Sequence, residues 1–485
     1  MPGILRSIVL GLSLILLISS CRKGEITRNG VPDTFISYEA INLTGQNRLN
    51  SSVRLTWYGT DGDGYITGYE LSLDNQNWEY TTTQDSVFLF DIPPGADSAD
   101  ISFFVRAIDN DNNTDPTPAF LQVPLINTPP DADILDDRGP SDTAFIAATF
   151  FWQASDPDGD NTLKSVEIKI NDGDWTEIDR SQNLITFLAD TNIQSGEASS
   201  QIYYGNSTAP ANLNINGLRV NDSNRLYIRS TDIADAISDV DTSASFYFRP
   251  KTSGTNILWV SGHTAPITAE YRGYLNANNI TYDLLNFGYS QGINLPKYFD
   301  PTVRLIFDQY SQAFLNLPST NFRNTVTGDE KPLLDYLAPV IQRFSDNGGK
   351  YFLTTQLTKT TDLSESRSVY PIDDISTSTV PGSQARIVSD SALVPLIDTA
   401  RFPSLNPTNV EFGVVPMVAS ADAEDFYFAQ ITRFRGWNGS SQVVAAIRRR
   451  NNNISEVFFC MELHRFDKNA GLVEQLIGEI FDNEF

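Results

Sequence analysis

One pattern occurs twice in this chain, and it constrains the fold more than any other feature. Trp57 is followed by Asp61-Gly62-Asp63-Gly64, then Tyr69-Glu70-Leu71, then Trp78. Trp152 is followed by Asp156-Pro157-Asp158-Gly159-Asp160, then Val166-Glu167-Ile168, then Trp175. Farther along, Val105-Arg106-Ala107-Ile108-Asp109 matches Ile228-Arg229-Ser230-Thr231-Asp232. Stretches such as Val53-Arg54-Leu55-Thr56-Trp57 alternate apolar and polar residues, which buries one face of an extended strand. Asp, Gly, Asn and Pro turns punctuate them. A duplicated β module accounts for this spacing. The second copy is longer, with a polar insertion around Ser181 to Asn216.

The tryptophan strand, the acidic turn and the strand leading to a second tryptophan resemble fibronectin type III and related immunoglobulin-like modules. Ala107-Ile108-Asp109-Asn110-Asp111 through Asp115-Pro116-Thr117-Pro118 extends the resemblance. It implies two all-β sandwiches, at 33–127 and 128–252, with Thr128-Pro129-Pro130 at their junction.

The patterning changes at about residue 254. Ile257-Leu258-Trp259-Val260 is a continuous apolar strand, followed by Ser261-Gly262-His263-Thr264 and a helical stretch through Leu275. Ile280 to Leu285 reads as a second strand and Val303-Arg304-Leu305-Ile306-Phe307 as a third. Leu333 to Phe344 has helical spacing and ends in Gly348-Gly349, before a fourth strand, Tyr351 to Thr355. Val443 to Ile447 and Val457 to Met461 are further strands, and Leu472 to Phe481 is a closing amphipathic helix. Strands alternating with helices predict a three-layer α/β domain over 253–485 with a mainly parallel sheet covered on both faces. The strand, Gly-Gly-Lys, strand step and the terminal strand-turn-helix resemble class I glutamine amidotransferase-like and related flavodoxin-like domains. Residues 364–425 depart from that pattern as an irregular Ser/Pro-rich insertion.

The N-terminus carries an address. Arg6 precedes an apolar run from Ile8 to Ile18 that closes on Ile18-Ser19-Ser20-Cys21, the pattern of a secretory signal too short to span a bilayer. Ile18 to Cys21 resembles the lipobox of bacterial lipoproteins. That implies a signal peptide at 1–21, acylation of Cys21, attachment to the lipid bilayer and a polar tether at 22–32. Asp85-Ser86-Val87, Asp97-Ser98-Ala99 and three similar triplets resemble O-glycosylation acceptors of Bacteroidetes envelope proteins, so the expected setting is a Bacteroidetes-type cell envelope, at the outer membrane. The remaining cysteine is Cys460, so acylation of Cys21 leaves no intramolecular disulfide, and cysteine-type zinc sites are excluded. The net charge of −26, from 60 acidic and 34 basic residues, opposes nonspecific attraction to nucleic acid.

Chemistry is sparse. No cysteine or Gly-x-Ser-x-Gly follows the fourth strand, where Thr354-Thr355-Gln356-Leu357 stands. Cys460 reads as a small buried hydrophobe. His263 and His464 both follow strands, with Asp308 and Glu462 as companions, so His263, Asp308 and His464 are the catalytic candidates at the carboxyl edge of the sheet. Asp61, Asp63, Asp109, Asp111, Asp115, Asp156, Asp158 and Asp160 are candidate calcium ligands, although Asp-Gly turns recur for backbone reasons alone. The expectation is a non-catalytic binding or assembly component whose β modules are spacers and whose α/β domain binds an envelope protein or glycan. The alternatives are a divergent hydrolase and a surface glycan-binding lipoprotein.

Overall fold

The computed structural model describes residues 29–37, 49, 52–288 and 296–485. The signal peptide, Cys21 and most of the tether lie outside the described residues. No helix among the described residues is long and apolar enough to cross a membrane. The chain forms two compact units. One takes residues up to Asp131 together with Ser155–Lys164 and Ser230–Ser238, and the other takes Ala132–Ala154, Ser165–Arg229 and Asp239–Phe485.

The first copy is a two-sheet sandwich. Asp33–Ser37, Ser52–Thr60 and Asp85–Leu89 form one sheet; Glu79–Thr81, Ile66–Ser72, Ser98–Asp109 and Ala119–Ile126 form the other, in that order. Alternation aims Val53, Leu55 and Trp57 inward against Tyr69, Phe103 and Val105, all buried. Trp57 Nε1 donates to Thr83 O at 3.0 Å, so the buried indole keeps a partner. An aromatic of this size buries roughly 150–250 Å², which at about 25 cal/mol per Å² contributes on the order of 4–6 kcal/mol. Exposed ion pairs such as Arg54–Asp85 contribute under about 1 kcal/mol, so packing decides the stability of this module.

The second copy repeats the scheme with a larger sheet. Its order is Asn214–Val220, Gly196–Tyr204, Leu184–Ala189, Ala147–Ser155, Thr143–Phe145, Phe246–Arg249 and Asp222–Asn224. The stretch from Ser181 to Asn216, expected as a polar insertion, therefore supplies strands. Ile185, Phe187 and Ile202 point into the core, and polar side chains such as Glu197 and Gln201 stay outside. Each copy is a β-sandwich of two sheets.

A device on the outer faces confirms the duplication. Arg106 contacts Glu70 at 2.6 Å and lies 4.0 Å over the Trp78 ring. In the second copy Arg229 contacts Glu167 at 2.8 Å and lies 4.3 Å over the Trp175 ring. Glu70 and Arg106 are cross-strand partners, so the β register brings the pair together and the tryptophan covers it.

Beyond residue 254, Ile257–Ser261 pairs in parallel with both Asp283–Asn286 and Gln312–Leu317. Gln312–Leu317 pairs in parallel with Lys350–Thr355, which pairs in parallel with Asn453–Phe459. Val443–Arg450 then adds antiparallel to the last of these. Helix Ala265–Ala277 packs against Leu472–Asn483, and Arg304–Phe307 against Leu333–Asp346.

Two expectations are corrected here. Val303 to Phe307 is not the third strand: Arg304–Phe307 is a short helix, and the strand is Gln312–Leu317. Asp308 N donates to Arg304 O at 3.0 Å, an i,i+4 backbone bond that a helical turn makes and a strand does not. The segment 364–425 is not wholly irregular. Asp374–Ile375 and Leu393–Pro395 join the main sheet through Met417–Val418 and Glu424–Ala429, while Gln384–Ile387 pairs with Glu411–Val414 and Thr432–Phe434. Strands of two to four residues, as all of these but Glu424–Ala429 are, leave too little periodicity to be seen in sequence.

The second sandwich and the parallel strands share one apolar core: Phe145, Ile146, Ala147, Leu188 and Tyr203 join Trp259, Phe307, Phe314 and Phe352 in one cluster. Arg304 Nη2 donates to Ser207 O at 2.6 Å, and Lys251 Nζ to Gln309 O at 2.8 Å.

In a double-mutant cycle of Arg106→Ala with Glu70→Ala, each single change should lower stability by about 1 kcal/mol with a coupling of about 0.5–1 kcal/mol. The Arg229 and Glu167 cycle should match it, as read by denaturant melts.

Candidate functional site

The carboxyl ends of the parallel strands converge on the two histidines. His263 follows Ile257–Ser261 and is held by a tight crossing: a Cβ on Gly288 would lie 2.2 Å from His263 O. The last parallel strand ends at Phe459, and Glu462 leads into the turn Leu463–Phe466 that carries His464. Thr354 pins that turn, its hydroxyl donating to Met461 O at 2.7 Å and accepting from Leu463 N at 3.2 Å.

His263 and His464 face each other with ring centroids 5.8 Å apart. Both reach Glu462: His263 Nε2 is 3.8 Å from Oε1, and His464 Nε2 is 3.9 Å from Oε2. Those separations are ion-pair range and too long for hydrogen bonds. Tyr271, on helix Ala265–Ala277, accepts from His464 N at 3.3 Å and lies 3.4 Å from Nδ1. His263 is 5% exposed, and its Nε2 is buried without a hydrogen-bond partner.

His464 lines an open cleft of about 540 Å³ with Glu270, Tyr274, Glu411, Arg465 and Asp467. Arg465 contacts Glu411 at 2.6 Å and approaches Glu462 at 3.9 Å. Tyr274 donates to Asp467 at 3.3 Å. Burial sets the protonation states. It pushes His263 down to about 4, with the His464 charge adding to the effect, and pushes His464 down to about 4, with Arg465 adding. Burial also raises the Glu462, Glu411 and Asp467 carboxyls. The histidines are therefore neutral near pH 7, with the His464 ring against the Tyr271 hydroxyl and His263 Nε2 unpartnered.

Asp308 does not join them. It follows the short helix rather than a strand and pairs with Arg343 at 3.1 Å. Cys460 is fully buried, its Sγ 3.5 Å from Val415 O, and burial pushes its thiol well above the ordinary range. It is no nucleophile. Tyr271, Glu411, Arg465 and Asp467 were not singled out from the sequence. Arg465 and Asp467 share the turn of His464 and were within reach of that reasoning. Glu411 enters from the insertion, and no local spacing announces it.

The acidic turns divide by copy. In the first, Asp109 accepts from Asp111 N and Asn113 N, both at 2.8 Å, and Asp115 accepts from Thr34 N and Thr117 N at 2.8 Å. Asp63 is exposed and accepts from Gly30 N at 3.0 Å. Burial raises the Asp61 carboxyl and the charges of Asp63 and Asp109 add to it, so these turns do meet, but their oxygens cap backbone amides. In the second copy Asp156 and Asp158 are buried. Among the described residues no three His, Cys, Asp or Glu side chains stand as a ready-made metal group.

No family model matches this chain, and no curated protein matches it. Among solved structures it is similar to the fibronectin(III)-like modules of Clostridium thermocellum CbhA, with 13% identity over 42% of this chain and 88% of that one and a TM-score of 0.18. It is similar to Agd3, a carbohydrate deacetylase, with 13% identity over 46% of this chain and 32% of that one and a TM-score of 0.25. It is also similar to the central fibronectin-III array of RIM-binding protein, with 12% identity over 42% of this chain and 95% of that one and a TM-score of 0.13. Likeness at this level says nothing of activity.

The two imidazoles give the fold a signed pH dependence. Between about pH 6.5 and 4 the unfolded chain binds protons that the buried rings refuse. Stability is therefore full above pH 6.5 and falls as the pH drops toward 4, while the raised Glu462 and Glu411 carboxyls act in the opposite sense. The melting temperature of wild type should drop more between pH 7 and pH 5 than that of His464→Gln. Equal drops would show that His464 is not buried neutral.

Proposed function

We propose that this chain is a cell-envelope lipoprotein, anchored through acylated Cys21 at the outer membrane. Two fibronectin III/Ig-like spacers then carry a C-terminal amidotransferase-like α/β domain that acts as a non-catalytic binding head. The strand order supports the flavodoxin-like reading of that domain: taken in chain order, its parallel strands lie second-first-third-fourth-fifth. The observation that carries the binding reading is the cleft itself. It is open and lined by charged and hydrogen-bonding groups, and none of its lining residues is a serine or cysteine nucleophile.

An envelope protein fits this head better than a glycan. Glycan platforms use exposed aromatic faces; of the exposed aromatics, Phe35, Tyr58, Tyr65, Tyr80 and Phe120 belong to the first sandwich, Tyr247 to the second and Phe412 to the C-terminal domain, and none of them lines the cleft. Around the cleft only Tyr274 is aromatic, beside Arg465, Glu411 and Glu270, groups suited to pairing with a partner's charges.

A divergent hydrolase is the second reading, favoured by the convergence of His263 and His464 on Glu462. The burial of His263 and the absence of Asp308 from the group weigh against it.

Crosslinking pull-down of the tagged lipoprotein from its own membranes tests the leading reading. One or two envelope proteins should be recovered near stoichiometry and lost with Arg465→Ala, whose side chain is 39% exposed. Cys21→Ser should move the protein from the detergent phase to the aqueous phase. A partner set indifferent to Arg465→Ala would remove the cleft from the binding role.

A further inference from the structure

We propose that the acidic turn of the second copy is a calcium site, formed by Asp156 and Asp158 with Asp160 and Asp232 beside them. All four belong to the first compact unit. Asp156 is 6% exposed, Asp158 2% and Asp232 0%. Two carboxylate oxygens, Asp156 Oδ2 and Asp158 Oδ1, are buried with no hydrogen-bond partner. The oxygens on the other side of each group are engaged. Asp158 N donates to Asp156 Oδ1 at 2.8 Å, and Thr128 N donates to Asp158 Oδ2 at 2.9 Å. Asp232 accepts from Ala236 N at 2.8 Å and from Asn127 Nδ2 at 2.6 Å.

Among the described residues no ion pair includes Asp156, Asp158 or Asp232; Lys164 pairs with Asp235 and acts on Asp232 only through space. The Thr162 and Thr128 hydroxyls beside Asp156 and Asp158 are neutral. Burial and the mutual repulsion of these carboxylates raise Asp156 and Asp158. Buried carboxylates in this state call for a proton or a cation. Oxygen-only donors in a turn select a hard ion, and calcium accepts six to eight oxygens in flexible geometry where magnesium demands a near-ideal octahedron. The ion takes the two free oxygens, with backbone carbonyls and water completing its shell.

The first copy carries the same motif without the same environment. Asp63 is exposed, and among the described residues no carboxylate oxygen of Asp61, Asp63 or Asp109 is buried without a partner. The site therefore belongs to one copy. Thr128 and Asn127 already tie the segment after Ala119–Ile126 to Asp158 and Asp232, so a bound ion stiffens that segment. The proposal is independent of what the C-terminal cleft binds.

Calorimetric titration and thermal melts of the full chain, freed of metal with EDTA, test it. Calcium chloride should bind at one ion per chain and raise the melting temperature by several degrees, with magnesium less effective. Asp158→Asn should abolish the response, and Asp63→Asn should leave it intact. In EDTA, Asp158→Asn should melt at or above wild type, because it removes a buried uncompensated charge; this separates a lost ligand from a damaged fold. No heat and no shift with calcium, a response that survives Asp158→Asn, or an Asp158→Asn protein that melts well below wild type in EDTA would each overturn the site.

Discussion

The apolar seam between the second sandwich and the parallel strands is the contact on which the rest of this structure depends. Phe145, Ile146 and Ala147 belong by sequence to a β module, yet they share a core with Trp259 and Phe314 of the sheet beyond it. A sandwich joined to the sheet by a linker alone would be free to swing. One that shares a core with the sheet is held in one orientation, since close-packed interiors do not slide without opening voids. Arg304 and Lys251 add hydrogen bonds to backbone carbonyls along the same seam.

The duplication shows which parts of a module are required and which are free. Both copies keep the buried tryptophan and the outer-face trio of glutamate, arginine and tryptophan. These features serve packing and register. The acidic turns diverge: the buried Asp109 and Asp115 of the first copy have their oxygens occupied by backbone amides, while the buried Asp156 and Asp158 of the second each keep an unpartnered oxygen. The tryptophans diverge as well, since Trp57 has a partner for its indole nitrogen and Trp152 Nε1 has none. Duplicated elements that keep their core and change their turns are free to acquire separate roles.

Much of this was legible in the sequence for simple physical reasons. Period-two alternation and paired tryptophans revealed both sandwiches, and the continuous apolar run Ile257 to Val260 marked a strand buried on both faces. Val303 to Phe307 misled because a short, wholly buried run has no periodicity to separate helix from strand. Placing a strand there also placed Asp308 at the sheet edge, where it is not. The meeting of His263 and His464 was legible because both follow strands of one sheet. Glu411 was not, because a short strand inside an insertion is positioned by tertiary pairing rather than by local propensity.

Native-state hydrogen exchange on the full chain tests the shared core most directly. Amides of Ala147–Ser155 in the second sandwich and of Ile257–Ser261 in the parallel sheet should open together, with the same free energy and denaturant dependence. Opening of the sandwich strand at lower denaturant, while Ile257–Ser261 stays protected, would contradict a single core and make the second sandwich an independent module.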